Sequence, residues 1–179
     1  MTILIIIFSI MITIIINSFF EWYVHGKFMH GKWKNKRVQK LMNYLFQDTH
    51  KEHHRDYPPQ SYKNPDHGPD VHLPLWAGVI TVGFMVILGL LVSYFTGRWE
   101  IAPCVAMTSA LYFWAHNYFH TCFHVPNNRW FETTKFYKAM DKFHEKHHVH
   151  KVKWGELVNI CVVCPVADFV IKTRFSSLK

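Results

Sequence analysis

Imidazole is the side chain most often recruited to transition metals, and 14 histidines in 179 residues give this chain a large supply. Ten of them fall into four groups. His25 and His30 lie in HGKFMH, and His50, His53 and His54 in HKEHH. His116 and His120 lie in HNYFH, and His144, His147 and His148 in HEKHH. Residues at i, i+3 and i+4 of a helix leave from one face. The second and fourth groups therefore each offer three imidazoles to one side, and the third offers two. The first pair is weaker, because a five-residue step turns the rings about 140° apart on an ideal helix. A helix end or a π-bulge near Gly26 would bring them together. Random placement would give about 0.1 occurrence of HxxHH by template counting, and the chain has two. A lipid-binding basic face would not need fixed spacing, and ten separate core histidines would each need a hydrogen-bond partner. A metal role explains both number and spacing. Ten imidazoles exceed what one ion coordinates, so two metals are the economical reading. Fe, Zn, Cu and Ni all suit neutral imidazole.

Carboxylates near these groups are candidates for orienting the rings through the nitrogen turned away from the metal. They are Glu21, Asp48, Glu52, Asp141 and Glu145, each of which also reads as ordinary helix-surface charge. His67, His72, His124 and His150 lie outside the spacing and are expected at the surface or behind the ligands, with His124 and His150 candidates for the latter. His144-Glu145 through His148 also spells HExxH, in which Glu145 would be the general base of a zinc peptidase. That reading leaves the other groups unused. The four cysteines are too few for a secreted disulfide framework, and the single CxxC at Cys161 and Cys164 lies in an apolar stretch without the second pair a zinc ribbon needs.

The elements that must position these groups are helical and membrane-bound. Half of the residues are hydrophobic, and the formal charge is +8. Basic charge alone fits nucleic acid or an anionic membrane surface, but the long apolar runs favour the membrane and no nucleic-acid partner is expected. Spans are expected over about 2–20, 73–95 and 101–119, the last two joined by the short turn Thr96-Gly97-Arg98-Trp99-Glu100. Residues 1–20 lack the positive start and small-residue cleavage site of a signal peptide, so an uncleaved anchor fits better. Lys and Arg number nine in 21–72 and ten in 120–179, against Arg98 alone in the turn. The positive-inside rule then places both polar segments, with all four histidine groups, in or at the edge of the cytoplasm. Residues 31–57 and 129–148 read as helices, Pro58, Pro59, Pro65 and Pro69 mark an irregular connection, and 157–171 reads as an interfacial segment broken by Pro165 and Asp168. The expectation is one all-α domain over 1–179: about three spanning helices and a helical cytoplasmic cap carrying a histidine-rich two-metal site.

The four ordered boxes, the hairpin between the second and third, and the stretch from Gly155 to Thr173 resemble the membrane-bound fatty acid hydroxylase/sterol desaturase superfamily over about residues 21–173. The resemblance implies two iron ions, O2 as oxidant, and hydroxylation or dehydrogenation of a lipid C–H bond. It also implies that His25, His30, His50, His53, His54, His116, His120, His144, His147 and His148 are the ligands. Box spacing and Pro58-Pro59 look most like fatty acid hydroxylases. HGKFMHGKW is also similar to bacterial-type carotenoid hydroxylases, though these place the second box closer to the first, and desaturases share the box types. Zinc is an expected substitute in purified protein. The chain has no Gly-rich dinucleotide fingerprint, so a separate cytochrome, ferredoxin or reductase is expected to supply electrons. The membrane would be the endoplasmic reticulum in a eukaryote or the inner membrane in a bacterium. A histidine-rich metal-binding protein without catalysis is the alternative of another class.

Overall fold

A computed structural model describes residues 2–64, 75–149 and 158–173. Helix α1, Thr2–Trp22, runs without a break into a π-helical turn, Tyr23–Met29. Helix α2, Lys36–Met42, begins at Asn35, whose side chain accepts from the amides of Arg37 and Val38 and so satisfies two donors that a helix start leaves open. A second π-helical turn, Asn43–Gln47, joins α2 to α3, Asp48–Asp56. Helix α4, Leu75–Thr96, and α5, Ile101–His124, form the expected hairpin. At their turn Gly97 has φ +66°, the left-handed conformation that closes many helices at little cost for glycine. The Ser93 hydroxyl accepts from the Ala102 amide, filling an open donor at the start of α5. A short 3₁₀ turn, Trp130–Thr133, precedes α6, Lys135–Val149, and α7 spans Val166–Ile171. No strand occurs among the described residues. The molecule is an all-α membrane protein.

Among the described residues two helices, Thr2–Met29 and Leu75–Thr96, are long and apolar enough to cross a bilayer. The third expected span, α5, has the length but not the hydropathy, because Ser109, Tyr112, His116, Asn117, His120 and Thr121 dilute its apolar residues. At the contact of α4 with α5 a side chain would be crowded: a Cβ on Gly89 would lie 3.1 Å from that of Val105. Helix α1 packs along α5 and is tied to it by Asn17 Nδ2 donating to Ser109 Oγ at 3.1 Å.

The polar half folds back over the ends of α1 and α5. One apolar cluster, built on Cys122, Phe123, Tyr137, Met140 and Val162, seats α6 against α5. A second joins Trp22 to Ile160, Cys161 and Ala167. The segment read as interfacial is therefore docked on protein: Asp168 is fully buried and accepts from the amides of Ile160 and Cys161 and from the Thr173 hydroxyl. Cys161 and Cys164 are free thiols with no part in the histidine groups; the Ser18 hydroxyl meets the Cys161 thiol and donates to the Cys164 carbonyl.

Candidate metal centre

The first pair of histidines meets through the backbone. In a π-helical turn the hydrogen bonds close i→i+5, so the five-residue step from His25 to His30 returns to nearly the same face and the ring centroids lie 5.3 Å apart. The second π-helical turn presents Gln47, fully buried, whose amide donates to the carbonyls of Phe28 (3.1 Å) and Gly31 (2.7 Å). That clamp fixes the end of the first turn against the start of α3 and brings His30 Nε2 to 2.8 Å from His50 Nε2.

Among the described residues the imidazole nitrogens gather into two sets, each with its nitrogens within 4.8 Å of one another. One set is His53, His120, His124, His144 and His148; the other is His25, His30, His50 and His147. All nine rings are buried. His54 sits between the sets, its Nε2 3.1 Å from that of His50 and its ring stacked on His148 with centroids 4.2 Å apart.

Backbone carbonyls set the tautomers. A carbonyl only accepts, so a ring nitrogen bonded to one must carry the proton, leaving the other nitrogen of a neutral ring with a bare lone pair. The Nδ1 atoms of His25, His124, His147 and His148 donate to the carbonyls of Ile160 (2.7 Å), Tyr62 (2.9 Å), Val158 (2.7 Å) and Tyr57 (3.1 Å). Their Nε2 lone pairs therefore point inward, where each meets another Nε2 at 3.2 Å: His50, His144, His30 and His53 respectively. His50 Nε2 faces three such nitrogens and can donate to only one. Burial, followed by neighbouring imidazoles, holds His30, His50, His53, His144 and His148 far below the usual histidine range, so these rings are neutral. Converging neutral imidazoles, four of them with a bare inward lone pair, suit cations, and the two sets are able to bind metal.

Other residues singled out from sequence take varied places. His116 is one turn short of the first set; its Nε2 lies 3.4 Å from Glu21 Oε1. His124, placed behind the ligands by its spacing, lies inside the set instead. His116, His120 and His124 repeat at i+4, so two HxxxH pairs overlap, and it is the later pair that joins the set. Glu21 touches neither set: it accepts from the Tyr112 hydroxyl and the Val162 amide, tying α1 to α5 and the tail. Asp141 accepts from Tyr62 and Lys63, anchoring the loop whose carbonyl holds His124. Asp48 and Glu52 are exposed and pair with Lys51 and Arg55. Glu145 is exposed too, not turned in with His144 and His148 as a peptidase base would be. His67, His72 and His150 lie outside the described residues. Gln47 and the four carbonyls carry no sequence signature, since a carbonyl belongs to every residue, and Asp168 reads from the sequence only as a break in an apolar segment.

The sequence profile of the fatty acid hydroxylase family matches residues 10–173, a range that holds every histidine of both sets. The chain belongs to the fatty acid hydroxylase family. No curated protein and no solved structure matches it significantly. Membership places this fatty acid hydroxylase homologue in the fatty acid hydroxylase/sterol desaturase superfamily and among lipid hydroxylase-type oxidoreductases.

Proposed function

We propose that this chain is an O2-dependent di-iron enzyme that hydroxylates a fatty acyl or related lipid chain. The observation that carries the reading is the pair of adjacent sets of inward-facing neutral imidazoles, one of which opens at His25 onto a cavity between α1, α4 and α5. His53, His120, His124, His144 and His148 would hold one iron, and His25, His30, His50 and His147 the other, with His54 available between them. A bound iron pair supplies the redox chemistry with O2 that no side chain can supply.

The protein's own residues do the rest. The carbonyls of Tyr57, Tyr62, Val158 and Ile160 hold four rings in the metal-binding tautomer. The apolar wall made by Phe20, Val24, Met29 and Phe113 excludes water and orients a hydrocarbon chain beside His25. Lysines and arginines on both polar segments would place the centre on the cytoplasmic side and dock an acidic electron carrier, whose turnover would fall with rising ionic strength.

Metal analysis of protein purified after growth with iron tests the proposal. About two metals per chain are expected, as ten clustered imidazoles demand, lost from both His53→Ala and His148→Ala along with lipid oxidation by iron-loaded protein. Full lipid oxidation in both variants would sink the assignment. One zinc that depends on His144 and His148 but not on His53 would restore the peptidase reading.

A further inference from the structure

Two spaces lie end to end along the helices. The cavity that reaches His25, about 50 Å³, is lined by Asn17, Phe20 and Val24 of α1, Ala77 and Thr81 of α4, and Ser109 and Phe113 of α5. A larger apolar groove, about 640 Å³, is lined by Ser9, Ile12, Thr13 and Ile16 of α1, Met85, Leu88 and Val92 of α4, and Ile101 and Val105 of α5. Helical periodicity aligns the two. Positions 9, 13 and 17 of α1 form one row, as do 77, 81 and 85 of α4 and 101, 105 and 109 of α5. Each row passes from the groove into the cavity without changing face.

A polar bridge stands where the two meet, beside the buried side chains of Thr13 and Met85. The Asn17 amide donates to the Thr13 carbonyl at 3.0 Å and to Ser109 Oγ at 3.1 Å, bridging α1 and α5 where cavity and groove meet. Asn17 and Ser109 are both buried. The Thr13 carbonyl can only accept, so the amide nitrogen is the end turned toward it. From Asn17 to His25 is about 12 Å along the helix axis at 1.5 Å per residue.

We propose that the Asn17–Ser109 bridge is the floor of an acyl-chain channel, so that it limits how much chain passes beyond the metal centre, and that the groove behind it receives longer chains when the bridge is absent. Asn17 and Ser109 are then specificity-determining residues of the lipid oxidation proposed above, on which this inference rests. The physical basis is steric: the groove is apolar, and the bridge stands between it and the cavity that reaches His25.

The test uses the full chain in lipid nanodiscs with a mixture of saturated fatty acids of increasing length, and a parallel series carrying a diazirine on the terminal carbon. In the unaltered protein, saturable crosslinks should fall on the His25 side of the bridge, at Phe20, Thr81 or Phe113. In Asn17→Ala/Ser109→Ala, and more weakly in Ser109→Ala alone, they should shift to Met85, Leu88 or Val92, and the hydroxylated products should shift to longer chains. Saturable crosslinks beyond the bridge in the unaltered protein overturn the proposal and require no variant to fold. So do product lengths and crosslinks identical in all three proteins. Crosslinks that shift as expected, without any hydroxylated product, keep the channel and defeat the hydroxylase reading instead.

Discussion

A histidine binds metal through a lone pair that some other group has kept free of a proton, and here that group is in four cases a backbone carbonyl. The consequence is sharpest on α5. His124 has its Nδ1 proton held by Tyr62 and its Nε2 turned toward His144, whereas His116 faces Glu21. His124→Ala should therefore lose metal as His120→Ala does, while His116→Ala keeps it; elemental analysis of the three variants decides. Asp168 acts at one remove. It holds the amides of Ile160 and Cys161, and so aims the Ile160 carbonyl at His25. Asp168→Asn exchanges one acceptor oxygen for a donor that cannot serve a backbone amide. Metal affinity should fall about 10–100-fold, the usual effect of disturbing a group behind a ligand, read as faster loss to a chelator with helix content unchanged.

Among the elements, the two π-helical turns matter most. The first turns a five-residue spacing into a shared face, and the second delivers Gln47 to the carbonyls at its end. Leucine at position 47 would fill similar space but leave the Phe28 and Gly31 carbonyls without their donor. A buried acceptor left unsatisfied costs about 1–3 kcal/mol, so Gln47→Leu should lower the thermal midpoint. It should also release the metal held by His25, His30, His50 and His147 before the other. Both metals retained as in the unaltered protein would show that the turn does not position that set.

On the scale of the molecule, burying many imidazoles makes the fold sensitive to acid. His30, His50, His53, His54, His144 and His148 all stay neutral well below 6.5 in the fold, chiefly through burial. In the unfolded chain they protonate near 6.5. Below that value the unfolded chain binds more protons, so stability rises with pH through the window and is lost as pH falls. Metal-free protein should melt at progressively lower temperature from about pH 7 to about pH 5, and loaded protein should release metal over the same range because protons compete for the same lone pairs. A flat melting temperature across that range would show that the rings are not buried together.

The sequence by itself determined the all-helical membrane class and the clustering of histidines. Those follow from composition and from the 3.6-residue period, which places i, i+3 and i+4 on one face wherever the helix lies. It also marked the strained spacing at Gly26, because an ideal helix cannot satisfy it. Tertiary structure decided which turn of α5 faces the centre. His116, His120 and His124 are equivalent by periodicity and differ only in what α1 and α6 place opposite them. It also decided that Glu21 serves the helix bundle and not His25, since one buried carboxylate goes to the nearest donors, Tyr112 and the Val162 amide. The tautomers too belonged to the fold alone: the carbonyls that fix them arrive from loops up to 135 residues away, and no side-chain type announces them.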